Sequence, residues 1–278
     1  MKIKEYIEKN FSLEDLDGVN ISKYNKEDYL NAKVDAIECF EAIQPFFNIN
    51  KKILEVGGGM HLLTNYLKYE NFDVTSIEPG SFYEHILRKN VLKKEKKNIY
   101  TTTLEEFKTD EKYDFIFSMN VLEHTKDIKS HITSCLKLLK DKDSLLFIQC
   151  PNYIFPFEPH FYEFFIPFNP DFTFKKIKKK KLIQKLGETR YLDTLNNLNF
   201  NCTYFKIKKF NLFIKFLNPL DKIFERIEKD DIFKKRILQN IFTRLIYKII
   251  IKFKLKNLLI YFFPISLSPY LIMKIYKR

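Results

Sequence analysis

The sequence predicts a doubly wound α/β domain, with helices on both faces of a mostly parallel sheet. Three observations carry this. Short apolar runs alternate with helical stretches of roughly 10–15 residues between positions 50 and 155. The runs themselves, "KILEV", "FDVTSI", "YDFIFSM" and "SLLFIQC", are short and rich in apolar residues, and "KILEV" reads like a strand buried on both faces. And three of only 6 glycines, Gly57, Gly58 and Gly59, stand together just behind the first run.

The elements follow in order. Residues 26–46 carry Tyr29, Ala32, Ala36, Ile37 and Phe40 at helical spacing and stop at Pro45, so residues 1–49 read as an N-terminal helical cap. "KILEV" is the first strand and "HLLTNYLKYE" the first crossover helix. "FDVTSIEPG" is the second strand, closed by Pro79 and Gly80. "SFYEHILRKNVLKK" is helical, with Ser81 as its N-cap. "KNIYTT" and "YDFIFSMN" are strands three and four, a helix runs from Thr125 to Leu139, and "DSLLFIQCPN" is strand five, ended by Pro151. Next, "LIQKLGETRYLDTLNNLNF" reads as a helix broken near Gly187, and "NCTYFKIKKF" alternates enough for a sixth strand. "SPYLIMKIYKR" reads as the last strand. The core is then 50–210, an insertion covers 211–263, and 264–278 completes the sheet.

Composition narrows the classes. The formal charge is +13, but residues 205–278 hold 18 Lys and Arg against 5 Asp and Glu, while residues 1–204 balance at 30 against 30. An asymmetry this complete suggests a local partner for the tail. Cys39, Cys135, Cys150 and Cys202 form no CxxC pair and no metal-ligand spacing with the 5 histidines, so buried free thiols and no metal are expected. The charged N-terminus has no signal-peptide pattern and no apolar run reaches ~18 residues, which places the expected location in the cytoplasm.

Glycines at the first strand-to-helix turn accept positive φ and remove Cβ atoms that would hold a ligand off the backbone. A glycine turn without a ligand is the plain alternative. Glu78, at the end of the second strand, can accept both hydroxyls of a ribose, which suits NAD as well as a nucleoside. Leu62 stands where a dinucleotide fingerprint wants its last glycine, and Glu55, just before the turn, would repel a pyrophosphate but suit a cation. An acid on each side of the turn fits S-adenosylmethionine. With "ILEVGGG" (53–59), "VTSIEPG" (74–80), "TTLEEF" (102–107), "YDFIFSMNVLEH" (113–124) and "LLFIQCPN" (145–152) in register, the chain resembles a class I S-adenosylmethionine-dependent methyltransferase, of the branch similar to the quinone-biosynthesis methyltransferases.

The resemblance implies a Rossmann-like seven-stranded sheet whose last strand is antiparallel. It implies that Glu55 and the backbone of Gly57, Gly58 and Gly59 face the methionine part of the cofactor, and that Glu78 holds the ribose. Thr103 and Leu104 fall at the adenine, and Asn120 lies beside the methionine end. Two residues depart from the family pattern. Thr103 cannot accept as an acid would, and His61 replaces a frequent third glycine, with a ring that could wall the pocket.

Methyl transfer to a hydroxyl or amine is aided by a base, and ligands sit beyond the carboxyl ends of strands. Strand four is followed by Glu123 and His124, and strand five by Asn152, Tyr153, Glu158, His160, Tyr162 and Glu163. His124 is the first candidate base and His160 the second. The structural alternatives are a helix-capping His124 and a packed loop His160. Residues 151–174, with two Tyr and eight Phe, read either as a substrate cover or as a hydrophobic connector. "KKIKKKK" (175–181) reads as a phosphate patch or, more plainly, a solvated helix turn.

Residues 232–263 read as one or two basic amphipathic helices. Arg244, Lys248, Lys252 and Lys256 form one stripe, with Leu245, Ile246, Ile249, Ile250 and Phe253 opposite. That fits an anionic membrane surface at the inner face, or packing on the chain itself or on a homodimer mate; nucleic acid ranks below both. The expected function is methyl transfer to an O or N atom of a small or lipid-linked acceptor in cell-surface glycan assembly. The alternatives are a quinone-type lipid methyltransferase and a degenerate cofactor-binding subunit.

Overall fold

The computed structural model describes residues 1–12, 26–80, 98–161, 163–220 and 241–277, with positions 224, 227, 228, 234 and 238. Its main sheet has seven strands: β1 (Lys52–Val56), β2 (Asp73–Ile77), β3 (Ile99–Tyr100), β4 (Phe115–Met119), β5 (Leu145–Pro151), β8 (Ile214–Leu217) and β9 (Tyr270–Tyr276). The order is β3-β2-β1-β4-β5-β9-β8. Strands β1 to β5 pair in parallel, and β9 runs antiparallel to both β5 and β8. The order reverses between β1 and β4, which opens a crevice at their carboxyl ends.

Each central strand feeds two cores because successive side chains point to opposite faces. Ile53, Phe115, Phe117, Phe147 and Ile272 face one layer, formed by α1 (Ile3–Asn10), α2 (Lys26–Ile43) and α3 (Leu62–Tyr69). Leu54, Ile116, Leu146, Ile148 and Met273 face the other, with α4 (Ile128–Leu138), α5 (Lys179–Leu186) and α6 (Glu188–Asn196). Asp127 starts α4 by accepting the N–H groups of Lys129 and Ser130 at 2.9 and 3.1 Å, three residues later than expected. Gly187, at φ +81°, breaks α5 from α6 as the sequence suggested.

Several expectations change. Residues 201–210 are not the sixth strand: α7 (Tyr204–Lys208) occupies them, because the Thr203 hydroxyl caps the Lys206 N–H and only Ile207 of that turn is buried. The sixth strand is β8, inside the segment expected to be insertion. The described part of 151–174 is partly packed into the core, and His160 within it lines the cleft. A short hairpin, β6 (Phe157–Glu158) with β7 (Glu163–Phe164), holds Phe161, Phe165 and Phe174 in the core, while Phe168 is 86% exposed. The lysine run is a solvated segment in which Lys175 pairs with Asp171, and Lys178 and Lys181 with Glu163. All four cysteines are buried and free. The helix expected over 81–94, with its Ser81 cap, lies outside the described residues, as does Tyr162. No helix among the described residues is long and apolar enough to cross a membrane.

Helix α1 lies within the helical cap expected over 1–49, and it is integral to the core. Ile7 is 1% exposed, and the Tyr6 ring packs 5.5 Å from that of Tyr66 on α3. Ile7→Ala should therefore lower the unfolding free energy by about 2–5 kcal/mol in urea titration. A loss well under about 1 kcal/mol would mean that α1 is not part of the core.

Candidate functional site

The crevice at the switch point is a cleft of about 2440 Å³. Its floor is the turn from β1 to α3. The Gly57 and Gly58 N–H groups both donate to the Ile77 carbonyl, at 2.9 and 3.1 Å, which fastens the turn to the end of β2. Gly57 and Gly59 take positive φ, +81° and +52°.

The three glycines serve different ends. A Cβ on Gly57 would lie 2.2 Å from Val121 Cγ2, and one on Gly58 2.2 Å from Ser76 Oγ and 2.4 Å from His61 Nδ1. Those two are glycine because the chain's own side chains occupy the space. All three glycines line the cleft, and at Gly59 no atom of the chain stands within 4 Å of where a Cβ would be.

Glu78 reaches back to that place. Its Oε2 accepts the Gly59 N–H at 3.0 Å and its Oε1 the Gly80 N–H at 2.9 Å. A carboxylate has about four acceptor positions, so two remain for a vicinal diol. Burial raises the Glu78 pKa against the two backbone N–H groups that lower it. Glu55 lines the same cleft, with Oε2 accepting from the Ser76 hydroxyl at 2.9 Å and from the Thr64 hydroxyl. Burial pushes its pKa up to about 7, despite the two hydroxyls. A buried acid so poised is stabilised as an anion by an incoming cation.

His61 departs from the expected position. It takes φ +52° at the start of α3, its ring turns beneath the turn, and Nδ1 meets Ser76 Oγ at 2.9 Å. The ring is 3% exposed and is not among the cleft-lining residues; burial lowers its pKa to about 4. It braces the turn and does not wall the pocket. Thr103, Leu104 and Asn120 do line the cleft. The Thr103 hydroxyl caps its own turn, bonding the Glu106 carboxylate at 3.1 Å and N–H at 3.3 Å, and Leu104 supplies a buried apolar surface. Asn120 sits in left-handed backbone at the end of β4, with its N–H on the Gln149 carbonyl.

The same cleft carries both candidate bases. The His124 and His160 rings lie edge to face, 5.1 Å between centroids. His124 Nδ1 meets the Asn197 carbonyl at 3.2 Å, and His160 Nδ1 meets Glu158 Oε1 at 2.6 Å. Burial, with His160 alongside, lowers the His124 pKa to about 4. For His160 burial pulls down, but Glu158 prevails and holds the pKa at about 9. Since 30% of that side chain is exposed, solvent screens the pair. Glu158 is itself fixed by the Phe161 N–H at 2.7 Å and the Tyr153 hydroxyl at 3.3 Å.

The residues that fix Glu55, Ser76 and Thr64, escaped the sequence reading, as did Val121 and His131. His131 lines the cleft with its Nε2 buried and without a partner, and burial lowers its pKa to about 4. Its position on the inner face of α4 is the only sequence signal, and core histidines share it.

The residues present fit S-adenosylmethionine: an open third glycine, an acid with spare acceptor positions beside it, and a buried acid near neutrality. The sign of the pH effect follows from Glu55. Its charged form, which favours a cationic ligand, prevails above about pH 7. Calorimetry should find roughly tenfold weaker cofactor binding at pH 6 than at pH 8, and Glu55→Gln should flatten that difference. An unchanged pH dependence in Glu55→Gln would remove Glu55 from the cofactor site.

A family model for a methyltransferase domain matches residues 26–194, more than half of the chain. An uncharacterised Mycobacterium tuberculosis protein is 37% identical over 118 residues, 41% of this chain and 40% of that protein. A ubiquinone biosynthesis O-methyltransferase of Pasteurella multocida is 33% identical over 109 residues, 35% of this chain and 45% of that protein. A solved SAM-dependent methyltransferase of Thermotoga maritima aligns over 71% of this chain and 84% of its own, at 15% identity and TM-score 0.43. The matched segments span less than half the length of these two sequence relatives. The family match covers the glycine turn, both cleft acids and both histidines, and the chain belongs to the methyltransferase-domain family, the class I S-adenosylmethionine-dependent methyltransferases.

Proposed function

We propose that the chain transfers a methyl group from S-adenosylmethionine to an O or N atom of a small or lipid-linked acceptor, in cell-surface glycan assembly. The observation that carries this reading is one cleft lined both by two acids around a glycine turn and by paired histidines. The cofactor supplies a methyl group already activated on a sulfonium, so the protein's work is alignment and exclusion of water. Glu55 and Glu78 hold the cofactor. His124 and His160 face the acceptor, where a proton must leave.

The lipid-linked part rests on the tail. Helices α8 (Ile241–Lys252) and α9 (Lys256–Phe262) are separated by a break at Lys254, which takes left-handed backbone, so the basic stripe is not continuous. Lys256 pairs with Glu228, and Arg244 bonds the Leu238 carbonyl. Leu245, Ile246, Ile249 and Phe253 are nevertheless exposed, Leu245 at 56% and Phe253 at 62%; of the expected apolar face only Ile250 is buried. Bulky apolar groups in solvent beside Lys248 and Lys252 favour an anionic lipid surface over packing. A quinone-type acceptor is the second reading, favoured by the likeness to the ubiquinone-pathway enzyme.

Comparing surface glycans and lipids with and without the gene should reveal one species lacking one methyl mass. A change confined to quinones selects the second reading. On the true acceptor, the better of His124→Ala and His160→Ala as a defect should lower turnover by roughly 10²–10⁴-fold. Full turnover in both excludes the histidines. The chain should float with anionic vesicles at low salt, and an Ile249→Ser/Phe253→Ser variant should not. Failure of the unmodified chain to float favours simple packing.

A further inference from the structure

Glu123 lies beside the two histidines, just after β4, and it is the least explained buried group in the described structure. It is 0% exposed, and neither carboxylate oxygen has a hydrogen-bond partner. A buried carboxylate normally neutralises or finds a cation, since leaving it charged and unpaired is costly. Ligand atoms of Glu123, His124 and His160 all lie within 4.8 Å of one another. No hydrogen bond joins Glu123 to either ring, although the charge on His160 works against the burial that raises the Glu123 pKa. The three side chains do not hydrogen-bond one another and are close enough to share one guest.

The surroundings of both rings fit the same guest. A carbonyl accepts but cannot donate, so the contact with Asn197 makes His124 Nδ1 the protonated nitrogen and leaves Nε2 with its lone pair. Glu158 accepts the Nδ1–H of His160 in the same way, and a metal ion would have to displace the second ring proton from Nε2. A ring whose one N–H is held by a carbonyl or carboxylate presents its other nitrogen, once deprotonated, as an oriented metal ligand.

We propose that Glu123, His124 and His160 bind one divalent transition-metal ion at the acceptor end of the cleft, with Glu158 and the Asn197 carbonyl positioning the two rings. Two imidazoles and one carboxylate are a donor set that suits zinc, and three protein ligands leave a position open for an outside oxygen. Around one ion with bonds of about 2.1 Å, ligand atoms stand about 3.4 Å apart, so side-chain movements of about 1 Å close the site. Sequence spacing hides the site, because Glu123-His124 and His160 come together only through the fold. The binding site stands on these side chains alone. Its use rests on the methyl-transfer reading: an acceptor hydroxyl on the ion is more acidic, and its proton leaves to water, so neither ring need take it.

The test uses the full chain after dialysis against chelator, with no cofactor or acceptor present. Zinc is titrated against a chromogenic chelator, and cobalt is followed by its visible absorption. The expected result is one ion per chain, with affinity at least tenfold lower in His160→Ala and in His124→Ala. Glu158→Gln, which leaves all three ligands in place, should lose about 10–100-fold. Thermal unfolding of the metal-free variants checks that they fold, and the solvent-facing His160→Asn stands in for any that does not. The proposal is overturned if the chain binds zinc no more tightly than His124→Ala/His160→Ala. Loss of cofactor binding would instead strike the methyl-transfer reading and leave this result standing.

Discussion

Two backbone N–H groups on one carbonyl hold the whole site in place. Gly57 and Gly58 both donate to Ile77, so the turn after β1 cannot move without β2. Beneath that clamp runs a chain of side-chain bonds, from Thr64 and Ser76 to Glu55 and from His61 Nδ1 to the Ser76 hydroxyl oxygen. Above it, Glu78 closes on the Gly59 N–H. The empty space at Gly59, the near-neutral Glu55 and the half-used Glu78 all follow from this clamp. Each is a property of a fixed turn, and none would survive in a flexible loop.

Much of the fold was legible in the sequence for a simple reason. Strands buried on both faces are rich in apolar residues, as "KILEV" and "LLFIQC" are, and of their polar exceptions Glu55 and Gln149 line the cleft. The final antiparallel strand carried the same signal at 270–276. The weaker edge was misread. Segment 201–210 and strand β8 are both short and partly exposed, so period alone could not separate a helix turn from a strand. Helix α1 lies inside the cap expected over 1–49, and Ile3, Tyr6 and Ile7 stand at helical spacing there.

The site was legible in its residues and not in its reasons. Glu55, Glu78 and the glycines do meet in one cleft, but two of the glycines also make room for Val121, Ser76 and His61. His61, which looked like an obstruction, became a brace because Gly58 lacks the Cβ that would block its ring. These are contacts between distant segments, and no local pattern encodes them. The pairing of His124 with His160 is of the same kind: a turn after β4 and a hairpin after β5 are brought together by the adjacency of those strands.

The most direct measurement is calorimetric titration of S-adenosylmethionine into the full chain and into Glu78→Ala. Hydrogen bonds to a charged acceptor contribute about 1.5–3 kcal/mol each, so the variant should bind at least tenfold more weakly while the unaltered chain binds well below millimolar. Equal affinity in the two proteins, or no heat from the unaltered chain at millimolar cofactor, would contradict the account of the cleft.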